Sequence, residues 1–227
     1  MIKQIRNLVR SVKRSLKPDP DRFLSDVSGV VHVGANTGQE RDQYQASDLE
    51  VLWIEPIPTV FSELSANISG IENQSAIRAL VTDTDDKMYE FYVANNEGAS
   101  SSIFDLKEAK DIWPSLDYTR TIHVKGATLP TLFERKRIDP RRYDALIMDT
   151  QGSELMVLEG SVPILEHFTY IKTEVADFEP YDGCCQLSDM QEFMSHHGYR
   201  QFSRNRVARR PQGGNYFEIV YKKAELC

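Results

Sequence analysis

The sequence predicts an α/β fold in three layers, with helices on both faces of a mostly parallel seven-stranded sheet and an antiparallel last strand. Three observations lead there. The run Val30-Val31-His32-Val33 passes directly into a small-residue turn carrying Gly34 and Gly38. Its length and β-branched content are those of a parallel strand buried on both faces. A second apolar strand over residues 50–56 ends in an acid, Glu55, about 20 residues beyond the glycines, the spacing of a nucleoside-binding crevice. Strand-length and helix-length segments then alternate to a closing pair of strands. At 227 residues the chain suits one domain with a sizeable core.

In chain order, Ile2, Ile5, Leu8, Val9, Val12 and Leu16 recur at helical spacing. Lys3, Arg6, Arg10, Lys13, Arg14 and Lys17 lie mostly between them, and Pro18 and Pro20 end the pattern. Residues 1–20 therefore read as a short basic amphipathic helix, leaving 21–227 as the main domain. Such a helix packs on its own domain or on a second subunit of a homodimer. Alternatively, residues 1–17 make a peripheral contact with an anionic membrane, each basic residue adding ~1 kcal/mol.

The glycines of the first turn let the backbone approach a ligand, and the polar run from Gln39 to Gln45 begins a helix with free N–H groups toward the crevice. Glu55 is placed to accept both hydroxyls of a ribose. A dinucleotide site asks for GxGxxG, but here Asn36 and Thr37 replace the middle glycine. A nucleoside without a pyrophosphate, such as S-adenosylmethionine, fits better than NAD.

Pro58 to Ser69 reads as a helix with Val60, Phe61, Leu64 and Ile68 inward, and Ser75 to Val81 as the third strand. Val81 or Thr82 would wall an adenine pocket. Asp83 either accepts from the exocyclic amine or opens a turn. Met88 to Ala94 and Thr121 to Lys125 alternate as strands, an inserted hairpin and long loop over about residues 87–125. Within it, Ser100, Ser101 and Ser102 are placed to bond cofactor or acceptor, and Trp113 and Tyr118 to stack on a sugar ring; a plain surface loop is the alternative. Leu129 to Lys136 is a helix. Tyr143 to Asp149 is the fourth strand, again ending in an acid, and Gly152 turns the chain into a helix from Ser153 to Phe168. Tyr170 to Val175 is a strand carrying Glu174, Leu187 to His197 a helix, and Tyr199 to Ser203 and Asn215 to Lys222 the last strands. The connection Arg204 to Gly214 holds Arg204, Arg206, Arg209 and Arg210, a solvated hairpin tip or a contact for an acidic partner.

The net charge is −7. Residues 1–17 hold six basic residues and no acid, which leaves −13 on the remainder. A body of that charge argues against a general nucleic-acid binder. Three cysteines, Cys184, Cys185 and Cys227, make no disulfide framework and suit a reducing cytoplasm. No apolar stretch approaches a membrane span, and the amino terminus lacks the apolar core of a secretion signal. His196-His197 is a contiguous pair, and no Cys or His spacing suggests a zinc site.

Several spaced motifs together resemble one family. Val33-Gly34-Ala35-Asn36-Thr37-Gly38 comes first, then Glu55-Pro56 with Phe61, Leu64 and Asn67, then Ser100-Ser101-Ser102. Asp149-Thr150-Gln151-Gly152-Ser153-Glu154-Leu155 follows with Val157-Leu158-Glu159-Gly160. From about Val30 to Tyr221 this order resembles the FkbM family of S-adenosylmethionine-dependent methyltransferases. The resemblance implies the class I methyltransferase (Rossmann-like) sandwich and O-methylation of a sugar, glycan or natural product. The residue readings and the resemblance together place the cofactor against Gly34, Ala35, Asn36, Thr37, Gly38, Glu55, Pro56, Val81, Thr82, Ser101 and Gln151. Two positions depart from the family pattern: His32 stands where Asp is frequent, and Pro130 where Thr-Leu-Asp is usual.

Methyl transfer from a sulfonium is an in-line displacement, so the protein has to align donor and acceptor and help the acceptor lose a proton. Asp149 is the leading candidate, orienting the methionine part of the cofactor or acting as base; capping the next helix is its structural alternative. Glu174, on the neighbouring strand end, could share those roles with it or join it in binding a divalent ion. Glu154 suits the helix dipole. His123 is a base only if the loop folds over the site. With the basic amino terminus, these readings favour a glycan or glycolipid intermediate at the cytoplasmic membrane face. An NAD-dependent oxidoreductase and a noncatalytic cofactor-binding module stay open.

Overall fold

The computed structural model describes residues 20–224. The basic segment 1–17 and Cys227 lie outside them. The strands are β1 (Gly29–Val33), β2 (Glu50–Ile54), β3 (Gln74–Ile77), β4 (Leu80–Val81), β5 (Met88–Ala94), β6 (Tyr118–Ala127), β7 (Ala145–Met148), β8 (Tyr170–Ala176), β9 (Tyr199–Arg209) and β10 (Asn215–Lys223). The α-helices are α1 (Arg41–Ala46), α2 (Pro58–Asn67), α3 (Ala109–Ile112), α4 (Leu129–Lys136), α5 (Glu154–Ser161) and α6 (Leu187–His196).

Seven strands form one sheet in the order β3-β2-β1-β7-β8-β10-β9. β1 pairs in parallel with β2 and β7, and β10 is antiparallel to both β8 and β9. The strand order reverses at β1, which opens a crevice beyond its carboxyl end. Both faces of the central strands are apolar, which is why the sheet is covered twice. Val31, Val33, Leu52 and Leu146 pack with Phe133, Leu158 and Met190 on one side. Val30, Val51, Trp53 and Ala145 pack with Phe23, Tyr44 and Leu64 on the other.

The expected third strand divides. β3 stops at Ile77, and Leu80-Val81 leaves to pair with Gly126-Ala127 in a second sheet, β4-β6-β5. Gly126 permits this, since a side chain there would collide with Thr82 and Tyr89. The helix expected from Ser153 to Phe168 also divides, because Pro163 cannot donate to an α-helical ladder. α5 ends at Ser161 and a 3-10 helix runs over Val162–His167.

β9 is longer than the sequence suggested and reaches Arg209, so the hairpin connection shrinks to residues 210–214. Arg204, Arg206 and Arg209 therefore lie on a strand, not at a tip. The Arg204 guanidinium sits 3.5 Å from the Phe217 ring centroid. Arg210 pairs with Glu108 at 2.9 Å and Asp111 at 2.6 Å, tying the hairpin to the long loop between β5 and β6. That loop is fastened elsewhere as well. Lys107 reaches Glu179 and Asp182 at 2.6 and 2.9 Å, its backbone N–H donates to the Pro180 carbonyl, and the Ser102 hydroxyl donates to the Gln151 carbonyl at 2.7 Å. The plain surface-loop alternative fails: these bonds pin the segment across the chain that follows β7 and β8.

Candidate active site

The site begins where β1 ends. The Gly34 and Ala35 N–H groups both donate to the Ile54 carbonyl, at 3.0 and 3.1 Å, binding the turn to β2. Gly34 has φ +79°, and any side chain there would run into the Asp149 carbonyl. Only glycine meets both demands. Asn36 also sits left-handed, at φ 46°, a conformation its short polar side chain tolerates. Its Oδ1 accepts from the Thr37 N–H at 2.8 Å and from Gln39 Nε2 at 3.1 Å. Asn67 on α2 donates to the Thr37 carbonyl at 2.9 Å and fixes the far side of the turn.

Glu55 closes β2 and is 4% exposed. One carboxylate oxygen accepts from the Ile57 N–H at 2.8 Å, the other from the Asn36 N–H at 3.0 Å. Burial pushes its pKa up to about 7; the two backbone donors oppose the rise and the charge of Asp149 adds to it. Each oxygen keeps a further lone pair, so a carboxylate already oriented by the backbone can still accept two hydroxyls.

A cavity opens between this turn, the β4 segment and the loop after β7. Gly34, Asn36, Glu55, Pro56, Val81, Ser101, Asp149 and Gln151 line it, so one crevice gathers eight of the residues singled out in the sequence. Ile57, Leu80 and Phe91 supply an apolar wall that the sequence reading missed. The signal for Ile57 was present, an apolar residue directly after Glu55-Pro56; Phe91 was hidden on an inserted strand. Ala35, Thr37 and Gly38 shape the turn without lining the cavity. Thr82 is a correction. It is fully buried, with its hydroxyl donating to the Thr84 carbonyl at 3.1 Å, and of the two residues Val81 lines the cavity. Asp83 accepts from the Tyr89 hydroxyl at 3.2 Å and takes no place in the cavity.

Opposite the glycine turn, Asp149 follows β7. The Gln151 amide donates to its carboxylate, and Gln151 in turn accepts from the Tyr181 hydroxyl at 2.5 Å. The capping alternative for Asp149 is not realised, since no side chain caps α5, and the turn leading into that helix is held by another residue. Glu154, 2% exposed, accepts from the Thr150 N–H at 2.8 Å and from the Gly152 N–H at 3.0 Å. Burial raises the Glu154 pKa to about 7. Met148 faces Thr173 across β7 and β8, so Asp149 and Glu174 are the next residues along adjacent strands. Burial holds Asp149 above the usual carboxylate range, while burial and the charges of Asp149, Glu154 and Glu218 raise Glu174 further. The charge of Asp149 thus favours the protonated form of its neighbour Glu174. Glu174 stands beside the cavity and does not line it.

His32 stacks on Trp53 at 5.0 Å between ring centroids, and its Nδ1 lies 3.1 Å from the Tyr44 hydroxyl. Burial lowers its pKa to about 3, which makes it a neutral packed side chain. His123 lies exposed on β6, 3.8 Å from Glu90, and is withdrawn as a base. Trp113 packs edge-on against Tyr216 and stays 40% exposed. Tyr118 stacks on Tyr92 and donates to the Phe104 carbonyl at 2.7 Å. Neither aromatic lines the cavity. Among the described residues, no group of three or more His, Cys, Asp or Glu is arranged to hold a metal ion, and no helix is long and apolar enough to cross a membrane.

Residues 32–201 match the model of the family described as Methyltransferase FkbM domain. No curated protein matches the chain in sequence. Solved structures similar to it include a fibrillarin pre-rRNA processing protein of Methanococcus jannaschii, with TM-score 0.51, 12% identity, and coverage of 92% of this chain and 71% of that one. An rRNA methylase of Streptococcus thermophilus gives 0.50 at 15% identity, covering 92% and 99%. Sp1610 of Streptococcus pneumoniae, in complex with S-adenosylmethionine, gives 0.50 at 9%, covering 90% and 73%. At these identities the likeness is one of fold, the class I methyltransferase sandwich.

Proposed function

This chain belongs to the FkbM methyltransferase family, and we propose that it methylates a hydroxyl oxygen of a sugar, glycan or natural product. S-adenosylmethionine is the methyl donor. When bound it supplies a methyl group on a sulfonium already activated for in-line displacement. The cavity fits it: a carboxylate with spare lone pairs at Glu55 suits the ribose diol, the apolar wall of Ile57, Leu80, Val81 and Phe91 suits a base, and the Asp149 carboxylate suits a cation. The nicotinamide alternative gives way to this reading.

The observation that carries the hydroxyl reading is the Asp149–Glu174 pair on neighbouring strands beside the cavity. An alcohol has to lose a proton as it is methylated. Asp149, ionised above a pKa of about 6 and steadied by Gln151, takes that proton. Glu174, raised by burial and by the charge of Asp149, retains its proton at neutral pH. The loop carrying Ser101 lines one side of the crevice with Gly98 and Ala99. The basic pattern of residues 1–17 supports a peripheral position at the cytoplasmic face of a membrane, where a lipid-linked glycan is a natural acceptor.

The test is transfer of tritium from labelled S-adenosylmethionine into a panel of nucleotide sugars, glycolipids and polyketides, with alkaline treatment of the product. An alkali-stable methyl ether formed by the native protein and lost in Asp149→Ala supports the reading. Label only on nitrogen or in an alkali-labile ester overturns it. Equal turnover by Asp149→Ala removes Asp149 from the mechanism, and cofactor binding without transfer to any acceptor favours a noncatalytic module.

A further inference from the structure

Lys172 precedes Glu174 by two residues on β8, so both side chains stand on one face of the sheet. The Lys172 ammonium lies 2.6 Å from Asp21 Oδ1 and 2.9 Å from Glu218 Oε2. Glu218 on β10 is the direct partner of Glu174 in the antiparallel ladder. At the crevice end of this face, Asp149, Glu174 and Glu218 thus follow one another on three neighbouring strands, at a spacing of about 4.8 Å per strand. Three carboxylates so placed do not all ionise without a counter-charge.

The surroundings show where that counter-charge comes from. Asp21, before the 3-10 helix Arg22–Asp26, adds another acid, and Glu40, just before α1, a further one whose pKa burial raises. His32 on β1 is neutral and the Tyr44 phenol on α1 stays protonated. Lys222 lies four residues along β10 from Glu218, with its ammonium 5.2 Å from the centroid of the Tyr170 ring at the far end of the strand. Lys172 is in direct contact with the acidic row through Glu218.

We propose that Lys172 is a positioning residue of the methyl-transfer site. By neutralising Glu218 and Asp21, it leaves the Asp149–Glu174 pair holding a single proton. One carboxylate then receives the acceptor's proton while the other donates a hydrogen bond. The inference rests on the acid–base roles assigned to Asp149 and Glu174 above, and it is independent of the acceptor's identity. A purely structural role, tying Asp21 to the sheet, predicts a different result.

The experiment follows the side-chain carboxyl carbon resonances of Asp149 and Glu174 against pH in the full chain, for the native protein, Lys172→Gln and Lys172→Arg. Calorimetry with S-adenosylhomocysteine runs in parallel. In Lys172→Gln the Asp149 midpoint should rise by about one pH unit, roughly tenfold less carboxylate at a given pH below it. Lys172→Arg should restore the midpoint, and both variants should keep the S-adenosylhomocysteine Kd within about twofold, since Lys172 does not line the cavity. An unmoved midpoint with a lowered melting temperature assigns Lys172 to the structural tie and overturns the proposal. Should Lys172→Gln fail to fold, Glu218→Gln removes the neighbouring carboxylate and should lower the Glu174 midpoint; no change there overturns the proposal equally. Because the titration reads no methyl transfer, a non-hydroxyl acceptor would refute the function above and leave this result standing.

Discussion

Replacing Glu55 by glutamine tests the donor half of the site with little change in shape. The carboxylate accepts two backbone N–H groups, from Ile57 and Asn36, in a position 4% exposed. A glutamine amide keeps one acceptor and turns an NH2 toward the other N–H, so one buried donor loses its partner, at about 1–3 kcal/mol. That cost falls on the free and bound protein alike and should lower the melting temperature by a few degrees to about 10 °C. Binding loses the charge-assisted bond to the ribose diol, about 1.5–3 kcal/mol, which is roughly 10- to 150-fold in Kd. Calorimetry with S-adenosylhomocysteine measures this directly. With burial holding the Glu55 pKa near 7, native affinity should strengthen as the pH is raised from below that value to above it, and the variant should lose that part of the dependence. A Kd within twofold of native, with an unchanged pH dependence, would refute the assignment of this cavity to the cofactor.

Asp149→Asn should lower kcat by about 10²–10⁴-fold while retaining S-adenosylhomocysteine binding, the span of a lost general base. In the native enzyme kcat should climb through a pH of about 6, because the raised Asp149 pKa leaves the base protonated below it; a flat profile counts against Asp149. Arg210→Ala removes the pairs to Glu108 and Asp111, and limited proteolysis should then cut within residues 95–117 faster than in the native chain; equal rates mean the remaining ties suffice. Deleting residues 1–17 should abolish co-sedimentation with anionic vesicles, and equal binding by both chains would remove the membrane contact.

Much of the donor half was legible because it depends on neighbours in sequence. Val30 to Val33 followed by Gly34, and β2 followed by Glu55, place backbone and carboxylate within a few residues of the strands that carry them. The departures share a different cause. Leu80-Val81 reads as the end of a third strand until Gly126, more than forty residues away, gives it another partner. β9 reaches Arg209 because β10 pairs with it that far, although its own residues alternate poorly. Glu154 was legible as a structural acid at the start of its helix, but that it turns back to bind the Thr150 and Gly152 N–H groups shows only in the folded turn. Lys172 carried no motif, and its importance comes from Asp21 and Glu218, each remote in sequence.

The ties from Lys107 and Arg210 have an evolutionary consequence. The loop of residues 95–117, which gives Gly98, Ala99 and Ser101 to the lining of the crevice, is stitched to residues 179–182 and to Arg210, and none of these stretches supplies the glycine turn or Glu55. Sequence drift in those stretches can reshape what enters from above while the seat below stays as it was. One ancestral scaffold can in this way serve descendants with unrelated tastes.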